Sequence, residues 1–255
     1  MQTNQLTDRF SEKTALELCN SYILRQLQNS KKSLSADAPR QSGPAVTISY
    51  QTGAGVHEIA GRLAKHLQAD DSTGDVPWTV FDHHLVGKVL EEHHLPQSLA
   101  KFMPEDRRSY IQDVIEEFAG VRPPSWVAVP QVTETVLHLA DSGRVILVGR
   151  GASVITARMP NVFHVRLIAP LPLRIARVQE TNHLTKKDAA KFVAKSDRGR
   201  GRYAKAHFDV CVDDDLLYHL VINTDRIPIP EAVELISDGA RRCFQRGADK
   251  RDQME

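Results

Sequence analysis

The sequence predicts an α/β protein: a three-layer sandwich with a mostly parallel β-sheet between helices, preceded by a separate helical segment. Two observations carry this. Short apolar, β-branched runs alternate with segments of helical periodicity, and strands that alternate with helices favour parallel pairing through crossover connections. The first such run, Ala45 to Ile48, passes through a small-residue turn, Thr52-Gly53-Ala54-Gly55, directly into a helical pattern with Ile59, Leu63 and Leu67 at i, i+4 and i+8.

The elements follow in order. Thr14 to Gln28 carries Leu16, Leu18, Tyr22, Ile23 and Leu27 at roughly helical spacing. Ser30 to Pro44 is rich in Ser, Lys, Pro and Gly and reads as a linker. The expected division is therefore residues 1–43 as N-terminal helix and linker, 44–246 as the main domain, and 247–255 as a disordered tail. The N-terminal helix could pack on the core, pair with a second copy to make a homodimer, or bind another partner. A second strand is expected at Trp78 to Phe81, ending on Asp82. Helical patterns occupy about His84 to His94 and Pro96 to Ala119, followed by a Gly- and Pro-containing loop from Gly120 to Ser125. A helix from Val129 to Ser142 has Gly143 as its cap. The apolar run Val145 to Val148 reads as a buried strand that ends in Gly149-Arg150-Gly151, and Val162 to Ile168 as another. A helix starts at Pro170 to Leu173, where Pro suits the first turn, and runs to about Thr181. Leu184 to Gly199 reads as a further helix with Thr185 as N-cap. The last strand is His219 to Asn223, and the last helix Pro230 to about Phe244.

Strand, glycine turn and helix together make a phosphate cradle. Glycines let backbone N–H groups come close to an anion, the first N–H groups of the helix are free to meet it, and the macrodipole favours it. The expected ligand is a nucleotide, held by Thr52, Gly53, Ala54, Gly55, Val56 and His57. The loop departs from G-x-x-x-x-G-K-[ST]. With Gly55 as its last glycine, Tyr50 stands at the first glycine position, Val56 replaces the Lys and His57 replaces the Ser or Thr. Positive charge for a polyphosphate must then come from elsewhere in the chain.

Composition narrows the classes. With 33 basic and 32 acidic residues the net charge is +1, which gives no global attraction to nucleic acid or to an anionic membrane. The three cysteines, Cys19, Cys211 and Cys243, are far apart; they fit neither a disulfide framework nor a zinc site and suit a reducing, cytoplasmic compartment. No apolar run approaches the ~20 residues of a bilayer span, and the polar N-terminus lacks the apolar core of a signal peptide. His83-His84 and His93-His94 beside Glu91 and Glu92 could suggest a metal. Adjacent residues of a helix point about 100° apart, so each pair offers one ligand to a given face, and no metal site is expected.

Five segments in order, ISYQTGAGVHEIAGRLAKHL, FDHHLV, VILVGRGA, FHVRLIAPLPLRIARV and YHLVINTDRI-x-x-x-EAVELI, resemble the cytidylate kinase-like family of P-loop nucleoside monophosphate kinases over roughly Ala45 to Ile236. Family members have a similarly loose loop without the Lys. The resemblance implies a parallel sheet of the P-loop nucleoside monophosphate kinase type. It implies transfer of the γ-phosphoryl of ATP, with Mg²⁺, to a monophosphate acceptor such as CMP or dCMP. It also implies a lid that closes over the phosphates. Phosphoryl transfer needs charge neutralisation and positioning above all. Arg174 and Arg177, three apart on one helix face, and Arg198 and Arg202, four apart around Gly199, Arg200 and Gly201, are the candidates for stabilising the transferred charge. The glycines suggest that the second group sits on a mobile segment; a solvated surface run is its alternative. Arg150 is the candidate grip on the acceptor phosphate, or a salt-bridged turn arginine. Asp82 would hold the acceptor sugar or help order Mg²⁺ through water, or cap the following helix. Asp213 to Asp215 reads as an exposed acidic turn, with contact to the acceptor sugar or base as its alternative. Two functional classes follow: a nucleoside monophosphate kinase, or a nucleotide-binding regulatory protein without useful catalysis, which the missing Lys and the added helix favour. A dinucleotide-binding domain is weaker, because G-x-G-x-x-G is not completed after Gly55.

Overall fold

The central strand β1 (Ala45–Tyr50) hydrogen-bonds on both sides, to β3 (Val145–Val148) and to β4 (Val162–Ile168). The computed structural model describes residues 17–25, 42–70, 76–82, 129–149 and 151–252, of which 70, 129–131 and 247–252 are described by their backbone alone. Strands β2 (Thr79–Asp82) and β5 (Leu220–Asn223) complete a five-stranded sheet in the order β2-β3-β1-β4-β5, with every pairing parallel. The helices are α1 (residues 17–25), α2 (Val56–Asp70), α3 (Val129–Ser142), α4 (Ala152–Ile155), α5 (Leu171–Asn182), α6 (Lys186–Phe208) and α7 (Ile229–Asp252). The expected helices at His84–His94 and Pro96–Ala119, the loop at Gly120–Ser125 and the histidine pairs lie outside the described residues, as does most of the expected linker.

Alternation along the strands builds the three layers. Val46, Ile48, Ile146 and Val148 face one way and pack with Ile59 and Leu63 of α2 and Val233 and Ile236 of α7. Ala45, Val145 and Leu147 face the other way, toward Leu137 and Leu139 of α3 and Ile155 of α4. Side chains of one pleated strand point alternately to opposite faces, so both faces of these inner strands must be apolar. The three apolar positions read from the sequence in α2 are buried, Ile59 and Leu63 fully and Leu67 nearly so. Gly143 caps α3 with a left-handed backbone, its N–H donating to Leu139 O at 3.1 Å.

The N-terminal segment packs on this core rather than standing apart from it. Cys19, Tyr22 and Ile23 of α1 are buried in the cluster that holds Phe81 and Leu139. Tyr22 meets Phe81 edge to face at 5.5 Å, and its hydroxyl donates to Gly143 O. Cys19 Sγ donates to Val80 O at 3.5 Å. Burial and the charge of Asp82 push the Cys19 thiol up to about 12, so it keeps its proton.

Two sequence expectations need correction. The segment around Gly199 and Gly201 is not a mobile break: α6 runs through it to Phe208, and neither glycine has a positive φ. Each glycine costs a helix interior about 1 kcal/mol, a sum that capping and burial offset here. Thr185 Oγ1 accepts from Asp188 N–H, and Ala189, Val193, Ala204 and Phe208 are buried along the helix. The second correction concerns the tail. α7 continues to Asp252 instead of ending near Phe244 and giving way to disorder from residue 247, because the helix formers Arg, Gln, Ala and Lys dominate that stretch.

A polar pair lies inside the sheet. His164 is buried on β4, with Nδ1 at 2.8 Å from Thr47 Oγ1 and its ring stacked on His219 at 5.0 Å. His164 N–H donates to His219 Nδ1 at 2.9 Å, which requires that nitrogen to be unprotonated. Burial first, and His219 second, lower the His164 pKa from 6.5 to about 4. The stability tied to neutral His164 is thus complete above the unfolded value and is lost as pH falls toward the folded one. Urea unfolding should show wild-type stability falling by roughly 3 kcal/mol more than that of His164→Gln between neutral pH and pH ~4. Equal slopes would remove the histidine from this account. At pH 7, Tyr22→Ala should cost about 3–5 kcal/mol in the same measurement, since α1 contributes to the core.

Candidate functional site

The loop after β1 leaves the sheet at its carboxyl edge, where α/β sheets bind ligands. Gln51 N–H continues the ladder to Leu167 O at 2.9 Å, and Ala54 N–H closes a turn onto Gln51 O at 3.0 Å. Gly53 has φ +85, and a Cβ there would lie 2.4 Å from Arg174 O. Only glycine meets both demands, so the first glycine of the loop is fixed by backbone contact with α5. Gly55 also has a positive φ, and its carbonyl accepts the first helical bond, from Ile59 N–H at 3.1 Å.

A cleft of about 1160 Å³ opens over this loop. Thr52, Gly53, Gly55, Val56 and His57 line it, together with Tyr50, Gly149, Arg177, Gly199 and Arg200. Ala54 does not take part: its side chain is buried in the core and its amide is used in the turn. Asp82 ends the edge strand opposite Val148 and does not line the cleft. Arg150 lies outside the described residues; its neighbour Gly149 brings the turn after β3 to the cleft wall.

The arginines divide differently from the sequence expectation. Arg174 and Arg177 share one face of α5 and both reach the loop, Arg174 Nη1 donating to Thr52 O at 3.2 Å and Arg177 Nη1 to Gly53 O at 3.4 Å. Arg174 Nε also bonds Ala169 O at 2.9 Å, and Arg177 bonds the hydroxyl and carbonyl of Thr224 at 2.8 and 3.0 Å. Arg198 and Arg202 do not join them. Both are exposed, and Arg198 Nε bonds Ala194 O of its own helix. In a continuous helix they fall opposite the face of Val193, Asp197, Arg200 and Ala204, so Arg200 is the residue that turns inward. Its guanidinium lies 4.3 Å from the Tyr50 ring centroid, within cation–π range, and Nη2 donates to Thr52 Oγ1.

Asp197 gathers these groups. Its Oδ1 accepts from Thr52 N–H at 2.9 Å, from Thr52 Oγ1 at 2.7 Å and from Arg200 Nη2 at 3.2 Å. Its Oδ2 accepts from Arg174 Nη1 at 2.6 Å. Burial alone would raise the Asp197 pKa; the Thr52 hydrogen bonds and the Arg174 charge outweigh it and hold the carboxyl below its ordinary value. Sequence reasoning assigned no role to Asp197 or Arg200. The signal was present: at i and i+3 they share the helical face of the buried Ala189, Val193 and Ala204, a phase that the two glycines concealed. Arg166, buried on β4, is another polar residue that the sequence did not single out. It bonds Ser49 Oγ at 2.9 Å and pairs with Asp213, while Asp214 Oδ1 accepts from Leu216 N–H at 3.0 Å. The acidic turn is thus held to the sheet by its first residue.

Among the described residues no helix is long and apolar enough to cross a membrane. An uncharacterized protein from Eubacterium ventriosum is similar in structure, with a TM-score of 0.52 and 19% identity over 78% of this chain and 98% of that one. A shikimate kinase from Bacteroides thetaiotaomicron aligns with a TM-score of 0.35 and 13% identity, over 79% of this chain and 96% of its own. A curated uronate isomerase from Corynebacterium glutamicum is 32% identical over 114 residues, which is 45% of this chain, and the chain spans only 22% of that protein's length. Residues 45–226, from the first residue of β1 to just beyond β5, match the cytidylate kinase-like family, and the chain belongs to it.

Proposed function

We propose that this protein is a nucleotide kinase that transfers the γ-phosphoryl group of ATP to a nucleoside monophosphate such as CMP or dCMP. The observation that carries this reading is the convergence of three arginines on the Thr52–Gly53 loop, Arg177 and Arg200 lining a nucleotide-sized cleft and Arg174 buried behind the loop. The kinase-like family supports the reaction class. Arginine compensates for the absent loop Lys, because its planar fork meets two phosphate oxygens at once. In this reading the Thr52 amide and hydroxyl would bind the phosphates, Arg174 and Arg200 would neutralise them, and Arg177, anchored on Thr224, would fix the loop against α5. Gly199, which lines the cleft without a side chain, leaves space for the ligand. Mg²⁺ commonly reaches such sites on substrate phosphates and keeps much of its water. In this reading the nucleotide's own oxygens would be its principal ligands. When bound, the ion would neutralise phosphate charge. Arg150, in the turn after β3, is proposed to grip the acceptor phosphate, and the cytoplasm is the proposed compartment.

A coupled assay with ATP, the four ribonucleoside monophosphates and dCMP tests the reaction. Turnover with at least one acceptor is expected, and a rise in melting temperature with ATP should accompany it. Binding of ATP with no turnover of any acceptor would favour the regulatory alternative. Within the active protein, Arg200→Ala should lower turnover about a hundredfold, whereas Arg202→Ala, on the outer face of α6, should stay within about twofold. Equal losses in the two variants would contradict the division of the arginines.

A further inference from the structure

The donors around Asp197 are those of a phosphate site. One main-chain amide, one hydroxyl and two guanidinium groups converge on a single carboxylate. Each of these donors prefers an anion, and the amide and hydroxyl belong to the loop itself. The carboxylate comes from the middle of α6, another element of the chain, through a contact 145 residues away in sequence. The loop is therefore already bound to an anion, and that anion is built in.

We propose that Asp197 is a tethered competitor of the nucleotide phosphates: it holds the loop, Arg174 and Arg200 together while the site is free, and yields them to the incoming polyphosphate. The inference rests on the nucleotide reading above and adds to it what governs affinity. Phosphate and carboxylate cannot share the Thr52 N–H, so binding requires the carboxylate to withdraw. Withdrawal of Asp197 moves the inner face of α6, which carries Arg200, and releases both guanidinium groups to the ligand. Nucleotide occupancy and the position of α6 are thus coupled through one exchange of anions. Arg177 stands outside the exchange, because Thr224 holds it.

Calorimetry of the full chain with inorganic tripolyphosphate and with ATP tests this, comparing the wild type with Asp197→Asn after a circular dichroism check of folding. The Asn variant should bind tripolyphosphate on the order of tenfold more tightly, since an ionised competitor for charged hydrogen bonds has been neutralised. Equal or weaker binding by a folded variant, with the wild type still binding, overturns the competitor and leaves the nucleotide reading intact. If neither protein binds tripolyphosphate or ATP, the nucleotide reading falls and the competitor with it. Neutralising Asp197 leaves Arg174 buried without its partner, a change that can unfold a protein. The wild type then supplies the answer by carbon-13 NMR of the Asp197 carboxylate. Its pKa, held low in the free protein, should rise toward the ordinary range at saturating tripolyphosphate, and a value that stays depressed overturns the inference.

Discussion

The Asp197 carboxylate joins three parts of the chain: the loop after β1, the first turn of α5 and the middle of α6. The loop is positioned from below by β1, which is central in the sheet and paired along both sides. It is positioned from above by this carboxylate. The close approach of Gly53 to the Arg174 carbonyl fixes it laterally. Two of these restraints, the β1 pairing and the Gly53–Arg174 approach, do not depend on Asp197, so the loop keeps little conformational entropy to lose when a ligand takes the place of the carboxylate.

The loop lacks the usual Lys, and the cations beside it are guanidinium groups. An ammonium on the loop would be a compact, strongly hydrated point charge. Here the charge comes from guanidinium groups on two helices, with Arg174 almost completely buried. A buried cation without a partner is costly, so Arg174 requires an anion at all times. Asp197 meets that need, and it explains why an acidic residue sits among groups that otherwise suit phosphates.

Much of the architecture was legible in the sequence because its strands are buried on both faces and its helices are strongly patterned. β4 was read at its observed bounds, and β1 and α2 by their first residues, because β-branched runs and the i, i+4, i+8 series leave little ambiguity. The cap at Gly143 and the N-cap at Thr185 were also readable, since local hydrogen bonds decide them. Gly199 and Gly201 misled. As isolated residues they suggest a mobile segment, yet tertiary burial on both sides carries α6 through them, and with that the inward and outward arginines exchange roles. Asp197 was harder to read for a related reason: apart from Arg200 on its own helix, its partners Thr52 and Arg174 lie on other elements, and only the folded chain brings them together.

The contact between Cys19 and Val80 has a consequence of its own. Among the described residues β2 is an outermost strand of the sheet, and the Val80 carbonyl that faces away from β3 is met by the Cys19 thiol. Outermost strands with bare main-chain groups are templates on which other molecules add strands and aggregate. α1 therefore acts as a cover, and the protonated, buried thiol is part of its seal. Proteolytic trimming of the first helix would uncover a self-association surface while leaving the cleft's own residues in the chain.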